Sequence, residues 1–191
     1  QTVKSLEAND PFFLATLLTI PGFAELESLL KKVDPIRIYK ESIDFQVLIG
    51  NEILQELSKI AKNLFVNIDH EWPKGKGERK LLGIIWFYLS LAGDRNVQKN
   101  CVELISHSSM TISRAALGAL KPLDNTLTEE ASNLFYNLWK DNPVVLDSWF
   151  AYEASRPSKQ GIDGIEKLLS HSKFDWKAPN SIRAVLGGFS K

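Results

Sequence analysis

Apolar residues recur at spacings of three and four along most of this chain, and the gaps hold proline, glycine and capping polar residues. That alternation predicts helices separated by tight turns. Asp10-Pro11 opens the first: a carboxylate able to cap, then a proline whose missing N–H costs nothing in a first turn. Pro21-Gly22 punctuates, and Phe23, Leu26, Leu29 and Leu30 resume helical spacing. Asp34-Pro35 repeats the start signal ahead of the longest periodic segment, Ile36 to Ala61, which reads as one helix or two because Gly50-Asn51 could interrupt it. Asn63 to Gly77, with Pro73, Gly75, Gly77 and alternating charge, reads as a loop.

The run from Leu81 to Ala92 is broken only by Gly83 and Ser90. It falls well short of the roughly 20 residues that span a bilayer, and a short helix apolar all round belongs in a core. Gly93-Asp94 turns into a helix reaching about Ser106, and another spans about Ser109 to Leu120 before Lys121-Pro122. Thr126 and Glu129 have the spacing of a capping box, followed on one face by Leu127, Ala131, Leu134, Phe135, Leu138 and Trp139. Asn142-Pro143 starts a helix in which Val145 pairs with Trp149 and Leu146 with Phe150, ended by Arg156-Pro157. Ile162, Ile165, Leu168 and Leu169 mark a further helix, and Pro179 opens the last, where Ile182, Val185, Leu186 and Phe189 are expected to form the packed stripe. No useful period-2 alternation occurs. The expected fold is all-α: stacked antiparallel helix pairs in an armadillo/HEAT-like superhelix, one domain over 1–191, although no sequence repeat of fixed period is visible.

Composition narrows the function little. Of 191 residues, 44% are hydrophobic and 24% charged, which is ordinary for a folded protein. Lysine plus arginine number 23 and aspartate plus glutamate 23, so net charge gives no case for nucleic acid or an anionic membrane, and only a local patch is left open. Cys101 is the single cysteine, which allows no intrachain disulfide and fits a reducing compartment. The chain opens at Gln1 without methionine and stops just after an apolar helix, so it reads as a fragment of a longer protein, with a processed mature chain as the alternative.

Most candidate chemistry dissolves on inspection. His70-Glu71-Trp72-Pro73-Lys74 lacks the second histidine of H-E-x-x-H, and its proline blocks the helix that would aim two imidazoles at zinc. His107 and His171 sit at helix ends, where a cationic ring would meet the helix dipole. Gly75-Lys76-Gly77 does not satisfy a phosphate loop and reads as a flexible loop tip. Cys101 lies among Val97, Val102, Leu104 and Ile105, a packing position and not a nucleophile's. Trp86, Trp139 and Trp149 fall on apolar faces and are expected in the core, with Trp72 and Trp176 undetermined.

The last third carries a pattern of its own: Asp147-Ser148-Trp149-Phe150, then "LLSHSKFDW", then "PNSIRAVLGGF". It resembles the C-terminal helical domain of the bacterial aminopeptidase N family of zinc-dependent gluzincins, most strongly over 78–189. The resemblance implies a superhelix that closes over a catalytic domain and leaves a cavity admitting peptides. The family's N-P-N-R-x-R segment, whose last arginine faces that cavity, reads here Ala178-Pro179-Asn180-Ser181-Ile182-Arg183. Asn180 and Arg183 are therefore the expected substrate-cavity residues, while alanine and serine replace the first asparagine and the first arginine. The family's H-E-x-x-H helix, its G-[AG]-M-E-N loop and its tyrosine are not found in this chain. The resemblance thus implies no catalytic residue, no metal ligand and no cofactor here. Zinc would sit in the parent enzyme, and the partners would be the parent's own catalytic domain and peptide substrates. The competing reading is a free-standing armadillo-like scaffold for a partner protein.

Overall fold

The structure, a computed structural model, describes residues 10–65, 74–157 and 161–189. All the regular elements among them are helices: α1 (Pro11–Leu17), α2 (Phe23–Ser28), α3 (Pro35–Glu52), α4 (Leu54–Phe65), α5 (Lys76–Leu91), α6 (Arg95–Leu104), α7 (Met110–Leu120), α8 (Thr126–Trp139), α9 (Pro143–Ala154), α10 (Gly161–Leu169) and α11 (Pro179–Phe189).

Local chemistry sets most of the starts. The side chains of Asp10, Asp34 and Asn142 accept from the backbone N–H three residues on, each with proline following at the first helical position. Asp94 accepts from Asn96 N and Val97 N at 3.0 and 3.1 Å. The expected capping box at Thr126 is displaced by one residue: Asn125 is the cap, accepting from Leu127 N and Thr128 N at 3.0 and 3.1 Å. The Ile36–Ala61 segment is two helices, parted at Ile53 and not at Gly50. Gly50 has another task, since a Cβ there would lie 3.0 Å from the Tyr88 carbonyl oxygen, where α3 crosses α5. Of the loop expected over 63–77, Asn63–Phe65 belong to α4 and Lys76-Gly77 to α5. Gly75 takes φ +68° at the start of α5, so the Gly75-Lys76-Gly77 tip is a helix entry. His70, Glu71, Trp72 and Pro73 lie outside the described residues.

Helix α5 is the hub. Leu81, Leu82, Ile85, Trp86, Tyr88 and Leu89 are all buried on it, and α1, α3, α4, α6 and α7 pack around it. Packing of α3 on α5, α5 on α7, α6 on α8 and α9 on α11 stacks these helices on their next-but-one neighbours, as in an armadillo-type superhelix.

A hidden repeat underlies the stack. Ser90, Ile105, Leu120, Phe135, Phe150 and Ile165 are all buried and stand fifteen residues apart, as do Trp86, Cys101, Ala116, Ala131 and Leu146. Three of the turns are stitched identically. Gln98 Nε2, Ser113 Oγ and Thr128 Oγ1 each donate, near the start of a helix, to the carbonyl eight residues earlier, those of Ser90, Ile105 and Leu120, at 2.9, 2.7 and 3.2 Å. Each bond is buried and adds a side-chain donor to a carbonyl at the end of the preceding helix; those of Ser90 and Leu120 also accept from Gly93 N and Leu123 N in the turn.

Two apolar clusters result. The larger runs through α1 and α4–α8 and includes Tyr152 of α9; the smaller joins Leu146, Phe150, Ala154, Ile165, Phe174 and Val185 from α9 to α11. Trp149 packs against both.

Candidate functional site

The last helix carries both expected cavity residues, and small side chains decide how it sits. Ser181, Val185 and Gly188, at i, i+4 and i+7, form its buried face against α9. Ser181 Oγ donates to Asp147 Oδ1 at 2.7 Å. A Cβ at Gly188 would stand 3.0 Å from the Ala151 carbonyl oxygen, so glycine is what lets the two backbones approach. The packed face is therefore not the apolar stripe expected from spacing. Ile182 is half-buried, but Leu186 and Phe189 are 47% and 52% exposed. Serine and glycine occupy the interface because they are small, and periodicity of apolar residues alone cannot register that.

This rotation moves Arg183 off the edge of the packed stripe. It lies two residues before Val185, about 200° round the helix, on the face turned away from α9. Asn180 is exposed one turn earlier on the same face, and at Gly187, one turn later, nothing stands within 4 Å of where a Cβ would be. Neither the Arg183 nor the Asn180 side chain pairs with another described residue. The structure thus brings the two together as an open, uncommitted donor surface.

Behind that helix lies a polar cluster that the sequence did not announce. Trp149 Nε1 donates to Ser132 Oγ at 2.9 Å, and the Ser132 hydroxyl donates to Glu153 Oε1. Arg156, its side chain 8% exposed, holds Glu153 through both carboxylate oxygens at 3.0 and 3.1 Å and also pairs with Glu129. Burial works against the Arg156 charge, and Glu129 and Glu153 more than offset it, so the guanidinium is held even more firmly protonated than usual. Ser132 has no histidine beside it among the hydrogen-bonded groups, and its proton goes to a carboxylate already neutralised by arginine. The cluster ties α8 to α9; it is not a nucleophile's setting. Its only sequence signal is polar residues placed on otherwise apolar helical faces.

His107 and His171 each close their own turn: His107 Nδ1 accepts from Ser109 N at 2.9 Å and His171 Nδ1 from Lys173 N at 3.1 Å. The His171 ring is boxed by Tyr136, Trp149 and Phe150, with centroids 5.5, 5.7 and 5.5 Å away. That burial, with a smaller push from Lys173, lowers its pKa below the ordinary value. Cys101 is fully buried and its thiol is pushed up to about 12 by burial. Trp86 is buried, Trp139 and Trp149 are half-buried, and Trp176 is exposed. Among the described residues no three His, Cys, Asp or Glu side chains converge as a metal site, and no helix is long and apolar enough to cross a membrane.

Stacked helices, a fifteen-residue burial period and buried turn stitches define an armadillo-type helical solenoid. The chain belongs to the DUF3458_C family, described as a domain of unknown function with ARM repeats, whose pattern matches residues 1–191. It is 27% identical over 188 residues to aminopeptidase N of Escherichia coli (strain K12), covering 96% of this chain and 21% of that protein. To aminopeptidase N of Haemophilus influenzae it is 26% identical over 182 residues, covering 93% and 20%. The crystal structure of Legionella pneumophila aminopeptidase A in complex with aspartic acid shares the fold, with a TM-score of 0.84 at 24% identity over 98% of this chain and 23% of that one. The chain spans about a fifth of the length of these relatives and corresponds to their C-terminal region.

Proposed function

We infer that this chain, a single helical domain over 1–191, is the C-terminal part of a cytoplasmic zinc aminopeptidase of the N type, where it closes over the catalytic domain and lines the cavity through which peptides reach the active site. The observation that carries the reading is the open face of α11: Asn180 and Arg183 side by side, turned away from α9 and unpaired among the described residues. Among the described residues no ligand cluster for zinc stands together, and His70-Glu71 lacks the second histidine of H-E-x-x-H in the sequence. In this reading the metal and the hydrolytic chemistry belong to the parent's catalytic domain. The apolar surface of α2 and α3 supports a domain with a neighbour. Leu29, Ile36, Phe45 and Leu48 are exposed there, and an open groove of about 820 Å³ runs between the two helices. Contiguous apolar surface of that kind marks a contact site.

An arginine at the cavity wall meets a peptide's carbonyls or carboxylate at a distance from the bond being cut. It binds ground state and transition state about equally, which raises affinity without changing the chemical step. In the intact parent enzyme, Arg183→Ala is expected to raise KM for peptides, leave kcat within a few-fold, and barely change turnover of a single-residue reporter. Unchanged KM at every peptide length, or a large kcat loss with the reporter, would remove Arg183 from the cavity.

A further inference from the structure

We propose that the groove between α1, α5 and α7 is a binding site for an extended acidic peptide. The groove encloses about 670 Å³ and does not depend on the reading of α11, which contributes none of its lining. The whole chain carries equal numbers of basic and acidic residues, yet this groove is lined by Lys76, Arg79, Lys80 and Arg114 and by no aspartate or glutamate. A concave surface of one sign with low-dielectric walls concentrates the opposite charge.

The basic and apolar positions are laid out in order. Lys76, Lys80, Ile84 and Phe87 follow one another down a single face of α5, while Arg114 and Gly118 face them from α7. From Lys76 to Phe87 the helix rises about 16 Å, which matches about five residues of extended chain at about 3.3 Å each. A peptide lying there meets cations at one end and an apolar floor at the other. Gln46, Thr19 and Thr111 in the lining supply side-chain partners for its backbone.

Three of the four cations face no carboxylate among the described residues. Lys80 Nζ sits 4.1 Å from the Phe12 ring centroid and 3.4 Å from Thr16 Oγ1, with no carboxylate beside it among the described residues. Lys76 Nζ is 6.0 Å from the same ring, and Arg114 is exposed and unpaired among the described residues. Arg79 is buried and engaged within the fold, so it contributes field and not a contact. The floor closes where α5 and α7 touch, since a Cβ on Gly83 would lie 3.0 Å from Ala115 Cβ. At Gly118, by contrast, nothing stands within 4 Å of an added Cβ. A duplex or single-stranded nucleic acid would need cations along the whole length, whereas here they end where Ile84 and Phe87 begin.

The test is fluorescence anisotropy on the 191-residue chain with a labelled peptide, Ac-Glu-Glu-Leu-Glu-Leu-amide, against its Gln-for-Glu counterpart. The acidic peptide is expected to bind 1:1, at least about tenfold tighter than the neutral one, and more weakly at 200 than at 50 mM salt. Arg114→Glu, which disturbs no contact of the fold, and Lys80→Glu should each weaken it at least about tenfold. Gly118→Leu should block the groove without changing charge, and Lys99→Glu on α6 should leave binding unchanged, with helicity confirmed for each variant by circular dichroism. Equal affinity for the two peptides, unchanged binding by Arg114→Glu, or tighter binding of a single-stranded oligonucleotide than of the peptide would overturn the proposal.

Discussion

Gly187 and Gly188 are neighbours on the last helix, and alanine should act in opposite directions at the two. At Gly188 the new Cβ would lie 3.0 Å from the Ala151 carbonyl oxygen, 3.0 Å from Ala154 Cβ and 3.5 Å from Ala151 Cα. Carbon contacts are comfortable at about 3.5–4.0 Å, so two of these are too close. Two of the three atoms are backbone, which no rotamer change can clear. Relief requires α11 to back away from α9, loosening Val185 and stretching the bond between Ser181 and Asp147. Overpacking of this kind costs about 1–3 kcal/mol, and alanine returns at most about 1 kcal/mol of helix propensity. Gly188→Ala should therefore destabilise by about 0.5–2 kcal/mol. At Gly187 an added Cβ would meet nothing within 4 Å, so the propensity term dominates and the change should stabilise by about 0.5–1 kcal/mol. Urea denaturation followed by circular dichroism measures both. The thermal midpoints should differ by about 2–12 °C, at about 2–4 °C per kcal/mol for a chain of this size. If Gly188→Ala is neutral or stabilising, or if the two changes share a sign, the close approach of α9 and α11 is not what positions the helix.

Two further outcomes are expected. Tyr88 is buried and its hydroxyl donates to the Leu18 carbonyl at 2.7 Å, so Tyr88→Phe should cost about 1–2 kcal/mol and speed hydrogen exchange in α1; no change in either would mean that this carbonyl finds water instead. His171 has its pKa lowered by burial and by Lys173, itself paired with Asp141, so the unfolded chain binds the extra proton first. Stability should be full above about pH 6.5 and fall as pH drops through the interval below it, and His171→Asn, whose Oδ1 can still accept from Lys173 N, should flatten that slope in denaturation curves at pH 7.5 and 5.5.

Helix starts were legible because capping is local. Asp10, Asp34 and Asn142 announce themselves through one side chain and the proline that follows. Signals that depend on a neighbouring helix were not. Gly50 looked like a break and is instead a contact point against the Tyr88 carbonyl. The packed face of α11 was misjudged because Ser181 and Gly188 earn their places by size, and their neighbours Leu186 and Phe189 carry the hydrophobicity. The fifteen-residue repeat was invisible for a related reason. Its buried positions hold tryptophan, cysteine, alanine, alanine and leucine in turn, so the geometry repeats while the residues do not. Each residue fills whatever volume its own layer leaves, and only burial reveals the period.

That period also shows where the stack needs something more. From α5 to α8 each turn is held by a side chain reaching back eight residues, and at the next equivalent position stands Pro143, which has no donor to offer. The polar cluster of Ser132, Trp149, Glu153, Arg156 and Glu129 instead ties the first half of α8 to the middle and far end of α9, beside Trp149, which packs against both apolar clusters. Apolar faces alone tolerate small slips, because burial is non-directional. A buried arginine shared between two carboxylates does not, since any slip that unpairs it exposes the full cost of an isolated charge. The cluster thus fixes α9 on α8 where no turn stitch does. Because α11 rests on α9 through Ser181, Val185 and Gly188, the direction in which Asn180 and Arg183 face is set by hydrogen bonds that neither residue makes.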